Sequence, residues 1–361
     1  MATDDIAPPA QDLPVRPKEN TSSSTTQNEP SKPFDIVATY RSLLQSDPEI
    51  TMSIAAIEAL IELMGATPSS TAMELVEKVR TEKAKLLASA PNPLPILAGA
   101  DAFEQYLLRS LRGQSTAFGS GSASQQPVLS FDDTRQHLLQ NRELFAHRAK
   151  EAREKIAIWG TRYVSDNKIV LTAGGSRTVT KILLRAAQDE SKHFKVIYVQ
   201  DGNPRSDNAI RELREAGLEV ETIVPNKVAF VLGNQKYINL VLVGAEAIVQ
   251  NGGIVSGMGT AQLAFLTRHV DGSMKRFYVA AETHKIARKT PVADPILRQL
   301  GIRQKEISRF EQVAVDPENI SELLPEKDEV EYTEPSLIDG FITEQGIMMT
   351  SQIWEFTDGY L

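Results

Sequence analysis

The sequence predicts an α/β protein in which an all-helical N-terminal domain precedes a doubly wound, mostly parallel sheet. Apolar residues recur at helical spacing from Phe34 to about residue 164. After Asn167, short β-branched runs alternate with helical segments, which is typical of parallel strands joined by right-handed crossovers. We therefore assign residues 34–165 to the helical domain and residues 166–361 to a Rossmann-like α/β domain.

Composition narrows the class of protein. The 361 residues carry a formal net charge of −8 and no cysteine. A negative chain is unsuited to coating nucleic acid, and a chain without cysteine has no disulfide, thiolate metal ligand or cysteine nucleophile. No apolar run approaches the roughly 18 residues of a membrane span, and the N-terminus lacks a secretory pattern. We expect a cytoplasmic protein without direct contact to membrane or nucleic acid.

The helical domain is predicted from its N-terminal end. Residues 1–33 are rich in Pro, Ser and Thr and predict a disordered tail. Helices are predicted over residues 35–46, 51–65 and 70–89, a mobile Gly/Ser loop over 113–127, and a long helix over about 132–164. Basic residues of the long helix, among them Arg148 and Arg153, lie opposite its apolar stripe. A solvent-exposed face explains them better than a docking surface does.

In the α/β domain the predicted strands are residues 168–174, 195–200, 218–224, 226–233, 238–246 and 276–282. Helices are predicted to end at Ala187, Gly217 and Val270. Because ligands of such sheets bind at the carboxyl ends of the strands, candidate site residues should follow the strands.

The segment 174–178, GGSRT, follows a strand and opens a helix. Free backbone N–H groups and the Ser176 hydroxyl could bind an anion there, although helix capping by Ser176 explains the pattern equally well. Arg205, after the next strand, could contact the same anion, or could belong to a plain turn at Pro204.

Glu246 ends a buried strand, where a carboxylate is costly unless it is paired, and this makes it a candidate site residue. The glycine-rich stretch 251–260 could close over Glu246, but a turn before the next helix is the favoured interpretation. The five histidines show no metal-ligand spacing, so no metal site is expected. His284 and Lys285 could add positive charge beside an anion pocket.

Residues 241–264, VLVGAEAIVQNGGIVSGMGTAQLA, resemble the G-A-[DE], N-G-[DG] and G-T signature of one family. That family joins sugar-phosphate isomerases to subunits of the guanine-nucleotide exchange factor for translation initiation factor 2. Supporting stretches are TMSIAAIEAL, AGADAFEQYL, LTAGGSRTV, YVAAETHK and VEYTEPSLIDGFITEQGIMMTSQIWEF. The resemblance covers nearly everything from Phe34 onward.

The isomerase branch uses a cysteine and an aspartate as its proton-moving pair. The resemblance places Gly174 where the cysteine falls and Glu246 where the aspartate falls. Leu97 replaces an isomerase arginine, and residues 256–257 replace an Asn-Lys pair. Aldose-ketose isomerisation needs an acid and a base at two adjacent carbons, so catalysis is expected to be lost, without catalytic residues or cofactor. The expected relic of the sugar-phosphate pocket comprises Gly174, Gly175, Ser176, Arg177, Arg205, Glu246, Asn251 and Lys285.

The resemblance implies a noncatalytic regulatory subunit that dimerises through its α/β domain. Its implied partners are the beta, gamma, delta and epsilon subunits of the exchange factor and the phosphorylated alpha subunit of translation initiation factor 2, whose recognition inhibits exchange under stress. Candidate contacts to that phosphorylated subunit lie on polar helix faces: Thr67, Thr71, Glu74 and Lys78. Two alternatives stay open: an active isomerase of a ribose or methylthioribose phosphate, and a sensor that binds a sugar phosphate or nucleotide in the relic pocket.

Overall fold

The computed structural model describes residues 34–67, 71–90, 92–115, 142–270, 275–288 and 330–358, together with residues 136 and 139. The predicted tail and residues 116–127 of the predicted Gly/Ser loop lie outside these ranges. From Phe34 onward the chain forms one compact unit, in which helices precede a mostly parallel sheet. The predicted fold class is confirmed.

The helical region has five helices within the described ranges: α1 Ile36–Ser46, α2 Met52–Ala66, α3 Ala72–Ser89, α4 Leu94–Ser115 and α5 Arg142–Gly160. Helix α2 is buried on almost every side because apolar and small residues surround its axis. Helix α4 crosses it closely at Gly99, where any side chain would collide with the carbonyl oxygen of Ser53. The predicted long helix is shorter at its end: α5 stops at Gly160 and a 3₁₀ turn, Thr161–Tyr163, follows.

The described strands are β1 Ile169–Ala173, β2 Lys195–Val199, β3 Glu219–Ile223, β4 Ile238–Gly244, β5 Ala247–Val249, β6 Ile254–Gly257, β7 Arg276–Ala280, β8 Ile286–Ala287, β9 Val330–Thr333, β10 Gly340–Thr343 and β11 Gly346–Met348. Seven of them form the main sheet in the order β11-β10-β7-β4-β1-β2-β3. Neighbours pair in parallel except β11, which runs antiparallel to β10. This order reverses direction at β1 and β4, as in a doubly wound sheet.

The remaining described helices are α6 Arg177–Ala187, α7 Pro204–Glu215, α8 Val228–Asn234, α9 Thr260–His269 and α10 Thr350–Asp358. Buried side chains of α5, α6 and α7 share one face of the main sheet. Those of α8, α9 and α10 share the opposite face. The helical region is thereby joined to the sheet through α5.

The prediction of a strand over residues 226–233 was wrong, since this segment forms a 3₁₀ turn and helix α8. Its apolar run is too short for periodicity to separate strand from helix. Topology decides the outcome, because β3 and β4 run in the same direction and need a crossover between them.

A second sheet, in the order β8-β5-β6-β9, was not foreseen. It packs against Leu94 and Ala98 of α4. The glycine-rich stretch 251–260, interpreted as a turn, contributes both the β5–β6 hairpin turn and strand β6. That interpretation was therefore only half right.

Candidate functional site

The loops after β1, β2, β4 and β7 lie together at the carboxyl edge of the main sheet. Their strands are consecutive in the order β7-β4-β1-β2, and all four run parallel. Most of the predicted pocket residues belong to these loops. The α1–α2 connection and helix α5 of the helical region contact the same edge.

The loop after β1 is tightly packed rather than open. Gly174 and Gly175 have φ angles of 81° and 61°. A Cβ atom on Gly175 would lie 2.5 Å from the Cβ of Arg205. The Gly175 N–H donates to Tyr198 Oη at 2.9 Å, and Ser176 caps α6 by accepting from the Val179 N–H. Both groups that sequence reasoning offered to an anion therefore have partners within the protein.

Arg177 points toward the helical region. Its Nη1 donates to the carbonyl oxygen of Pro48, and its Nη2 donates to that of Ile50 at 3.2 Å. Burial lowers the pKa of Arg177, and the positive charges of Arg153 and Arg205 lower it further against the opposing effect of nearby carboxylates. Several cations therefore crowd this part of the edge.

Glu246 also contacts the helical region, since Asn92, just before α4, donates from Nδ2 to Glu246 Oε2 at 2.6 Å. Burial and the negative charge of Glu246 raise the pKa of Tyr40 on α1. Lys285 donates from Nζ to the carbonyl oxygen of Ala245 at 3.0 Å. The Glu246 carboxylate thus accepts a hydrogen bond from the Asn92 amide, which offsets the cost of removing the carboxylate from water.

Among the described residues, the most buried charge at this edge is Glu282, a strand-end residue to which the sequence analysis assigned no role. Its exposed fraction is 0%, and that of Arg153 is 2%. Glu282 Oε1 accepts from Arg153 Nε at 3.1 Å and from Thr178 Oγ1 at 3.1 Å, while Oε2 lies 2.9 Å from Lys285 Nζ. Burial raises the pKa of Glu282, but Lys285, Arg153 and other nearby groups more than offset this and hold the pKa well below its ordinary value.

Arg153 was expected on a solvent-exposed face, and this was wrong. Its Nη1 pairs with the Glu49 carboxylate and its Nη2 donates to the Glu49 carbonyl oxygen. One guanidinium group therefore joins the α1–α2 connection to the buried carboxylate of Glu282. The sequence around Arg153 does not reveal this pair, because its partner Glu282 lies 129 residues further along the chain.

His284 joins the same two regions. Its Nε2 lies 3.1 Å from Thr51 Oγ1, at the N-terminus of α2. Burial lowers the pKa of His284 to about 4, and Lys285 and Arg153 act in the same direction, although Glu282 opposes them. His284 is therefore neutral at pH 7 and contributes a hydrogen bond, not the positive charge expected from the sequence.

Asn251 belongs to a different environment from the other predicted pocket residues. It sits in the β5–β6 turn, where its Oδ1 accepts from the Gly253 N–H at 2.9 Å and its Nδ2 donates to Tyr332 Oη at 2.8 Å. These bonds lie within the second sheet. They give Asn251 a clear role in shaping the hairpin.

The four predicted partner contacts gather at the junction of α2 and α3. Thr67 follows the last residue of α2, and Thr71 caps α3 by accepting from the Glu74 N–H at 3.2 Å. Lys78 pairs with Glu74 at 2.9 Å, one helical turn apart. Met73 is exposed beside them. These contacts are ordinary for a helix start, and exposed Met73 lies in the same stretch of chain.

Exposed aromatic side chains lie on the side of the sheet opposite α5, and we refer to them as the exposed aromatic surface. Phe230 on α8 is 71% exposed and Phe265 on α9 is 54% exposed, with Val224 exposed just before α8. Helices α8 and α9 pack side by side on the same face of the sheet. Large aromatic side chains exposed in this way are typical of protein interfaces.

The fold and this site define a class of two-part proteins in which a helical region closes the carboxyl edge of a Rossmann-like sheet through buried charge pairs. The chain belongs to the Initiation factor 2 subunit family, which matches residues 45–350. No group of three or more potential metal ligands was found in the part of the chain that is described. No helix in that part is long and apolar enough to span a membrane.

The individual relatives include both translation initiation factor subunits and sugar-phosphate isomerases. The chain is 28% identical to translation initiation factor eIF2B subunit alpha of Dictyostelium discoideum over 328 residues, covering 89% of this chain and 95% of the relative. It is 27% identical to ribose 1,5-bisphosphate isomerase of Methanocaldococcus jannaschii over 234 residues, covering 64% and 71%. A chain of the tetrameric eIF2B-beta2-delta2 complex from Chaetomium thermophilum has the same fold, with a TM-score of 0.65, 18% identity and coverage of 91% and 96%.

Proposed function

We propose that the chain is the alpha, regulatory subunit of translation initiation factor 2B and that it has no catalytic activity of its own. The absence of catalytic activity is supported by the two basic side chains at the strand ends. Arg177 and Lys285 donate hydrogen bonds to backbone carbonyl oxygens of the protein itself. No cysteine stands at Gly174 to share proton transfer with Glu246. The similarity to the Dictyostelium alpha subunit, which spans nearly the full length of both chains, supports the same assignment.

The subunit acts as a cytoplasmic homodimer that bridges two copies of the exchange factor's other subunits. The exposed aromatic surface of Phe230 and Phe265 supports this, because a second copy would remove it from water. Isologous packing of one surface on itself is the commonest way for a protein to dimerise.

The junction of α2 and α3 contributes to recognition of the phosphorylated alpha subunit of translation initiation factor 2. Its support is exposed Met73 together with the polar residues near it in the chain, Thr67, Thr71, Glu74 and Lys78. Protein contacts commonly combine an apolar anchor with polar residues. Recognition there would inhibit nucleotide exchange under stress.

A nucleotide-exchange assay tests this function. GDP release from translation initiation factor 2 is measured with the exchange factor assembled with or without this chain, and with or without the phosphorylated alpha subunit. We expect inhibition by the phosphorylated subunit only in assemblies that contain the chain. Equal inhibition in both assemblies would contradict the regulatory role.

A sugar-phosphate site is a second candidate function, and the crowding of Arg153, Arg177 and Arg205 favours it. Calorimetry with ribose 5-phosphate tests binding. The isomerase alternative makes a separate prediction, since it requires turnover of ribose 1,5-bisphosphate or methylthioribose 1-phosphate that Glu246→Gln abolishes. Absence of ketose product at high protein concentration would exclude the isomerase. A site that binds a sugar phosphate without converting it would then be the remaining alternative.

A further inference from the structure

The connection between α1 and α2, residues 47–51, crosses the carboxyl edge of the sheet and is bound there by three side chains. We refer to these residues as the strap. Arg177 donates to the carbonyl oxygens of Pro48 and Ile50. Arg153 binds both the carboxylate and the carbonyl oxygen of Glu49, and His284 contacts Thr51. In this way the strap supplies oxygen atoms to two neighbouring guanidinium groups.

The strap is a weak partner for these cations. Pro48 and Glu49 are exposed, and Arg177 receives only neutral carbonyl oxygens from the strap. A guanidinium group binds an oxyanion more strongly than it binds carbonyl oxygens, because charge-assisted paired hydrogen bonds are shorter and stronger. A dianion that reached Arg177 would therefore be the better partner.

The charge around the strap also favours an anion. The positive charges of Arg153 and Arg205 act on Arg177, and Lys285 lies beside Glu282. Glu49 and Glu282 are the carboxylates that act on Arg177, and each is already paired with Arg153. Counting Arg177 itself and Lys285, the cluster formed by these groups holds four cations and two carboxylates.

We propose that the strap is an internal competitor for the anion site, and that a phosphorylated small molecule binds by taking Arg177 from the carbonyls of Pro48 and Ile50. The proposal rests on the second candidate function above. It deepens that function by assigning the strap a regulatory role: the strap lowers the affinity of the site, and ligand binding releases the start of α2 from the sheet edge.

A substitution that loosens the strap without changing charge tests the competition. Pro48→Gly increases the freedom of the strap and leaves every charged group in place. Pro225→Gly is the matched control, because Pro225 is also exposed and lies outside the strap. Calorimetry uses ribose 5-phosphate and inorganic phosphate with the full chain. We expect Pro48→Gly to bind about twofold to fivefold more tightly than wild type, and Pro225→Gly to match wild type.

Hydrogen exchange of the wild-type chain provides a second readout that needs no variant. We expect ribose 5-phosphate to accelerate hydrogen exchange at the backbone N–H groups of Asp47, Glu49, Ile50 and Thr51. Unchanged affinity in Pro48→Gly, or slower exchange of the strap with ligand bound, would overturn the proposal and make the strap a static link between two regions. Absence of binding in both wild type and Pro48→Gly would remove the anion site and the strap's competing role together. It would leave the regulatory subunit to be judged by the exchange assay.

Discussion

The Arg153 guanidinium group donates to the Glu282 carboxylate at 3.1 Å, and both side chains are almost completely buried. Arg153 comes from α5 of the helical region, whereas Glu282 follows β7 of the main sheet. A buried pair between two regions fixes their relative positions, because separating the partners leaves an uncompensated charge. The helical region is thereby fixed on the carboxyl edge of the main sheet.

The first prediction concerns this pair. Glu282→Gln keeps the size of the side chain but leaves Arg153 and Lys285 without their shared buried carboxylate. We expect the free energy of unfolding to fall by about 3–5 kcal/mol, measured by urea denaturation. The matched control is Glu219→Gln, which removes an exposed partner of Lys195 and should cost less than about 1 kcal/mol. Equal losses in the two variants would show that the buried pair does not fix the two regions.

The second prediction concerns pH. The pKa of His284 is about 4 in the folded protein, and that of an unfolded histidine is about 6.5. Between these values the unfolded chain binds more protons, so stability is present in full above about pH 6.5 and is lost as the pH falls toward 4. Denaturation midpoints across this range should decline in wild type and decline less in His284→Asn. Parallel curves for the two proteins would contradict a neutral His284 in the folded protein.

Below this range Glu282 adds a second loss. Its pKa is held below its ordinary value in the folded state, so its contribution to stability is present above about pH 4.3 and disappears as acid protonates it. The His284→Asn variant should retain this second decline.

The third prediction separates two adjacent glycines. Both have positive φ angles, but a Cβ on Gly174 meets open space whereas one on Gly175 collides with the backbone and Cβ of Arg205. Gly174→Ala should cost about 1–2 kcal/mol from backbone strain alone. Gly175→Ala should cost clearly more, because α7 has to move. Thermal denaturation of the two variants measures the difference, and equal costs would contradict the close packing of this loop.

The sequence predicted the fold class well because hydrophobic periodicity records burial directly. The β-branched runs that became β1, β2 and β4 were recognised because both faces of these strands are covered. Residues 226–233 were wrongly predicted to form a strand, because a short buried helix and a short buried strand have the same apolar composition. Their assignment depends on crossover topology, which no local pattern contains.

The charged contacts of the site were less predictable. Glu246 was recognised as a costly buried carboxylate, but its partner Asn92 lies more than 150 residues away in the sequence. Arg153 looked like one basic residue among several on a helix surface. Glu282 had a clear signal in retrospect, since it is a carboxylate placed directly after a buried strand, as Glu246 is. Pairing between distant residues depends on the three-dimensional fold, and a single sequence does not record it.

The fourth prediction concerns the exposed aromatic surface. Phe230→Asp or Phe265→Asp places a carboxylate where we propose that a second copy packs, and this should convert the dimer to a monomer at micromolar concentration. Light scattering coupled to size exclusion measures the mass. Met73→Asp is the matched control, since Met73 is equally exposed but lies on α3 of the helical region. A wild-type chain that already runs as a 39.8 kDa monomer would contradict the proposed dimer.

The fifth prediction tests the junction of α2 and α3. Lys78→Glu turns a partly exposed attractive pair with Glu74 into a repulsive one, so the free energy of unfolding should fall by no more than about 1 kcal/mol. Inhibition of nucleotide exchange by the phosphorylated partner should weaken, because the junction of α2 and α3 then repels the negative phosphate. Lys195→Glu, at the first residue of β2, is the control and should preserve inhibition. If the phosphorylated partner still inhibits assemblies that contain Lys78→Glu in full, the contact to that partner lies outside the junction of α2 and α3.

Reconstitution with purified beta, gamma, delta and epsilon subunits tests the central claim most directly. The mass of the assembly is measured by mass photometry with and without this chain. We predict that the chain joins two copies of the four-subunit assembly, so that the mass slightly more than doubles when it is added. An assembly whose mass and composition do not change in its presence would contradict the account.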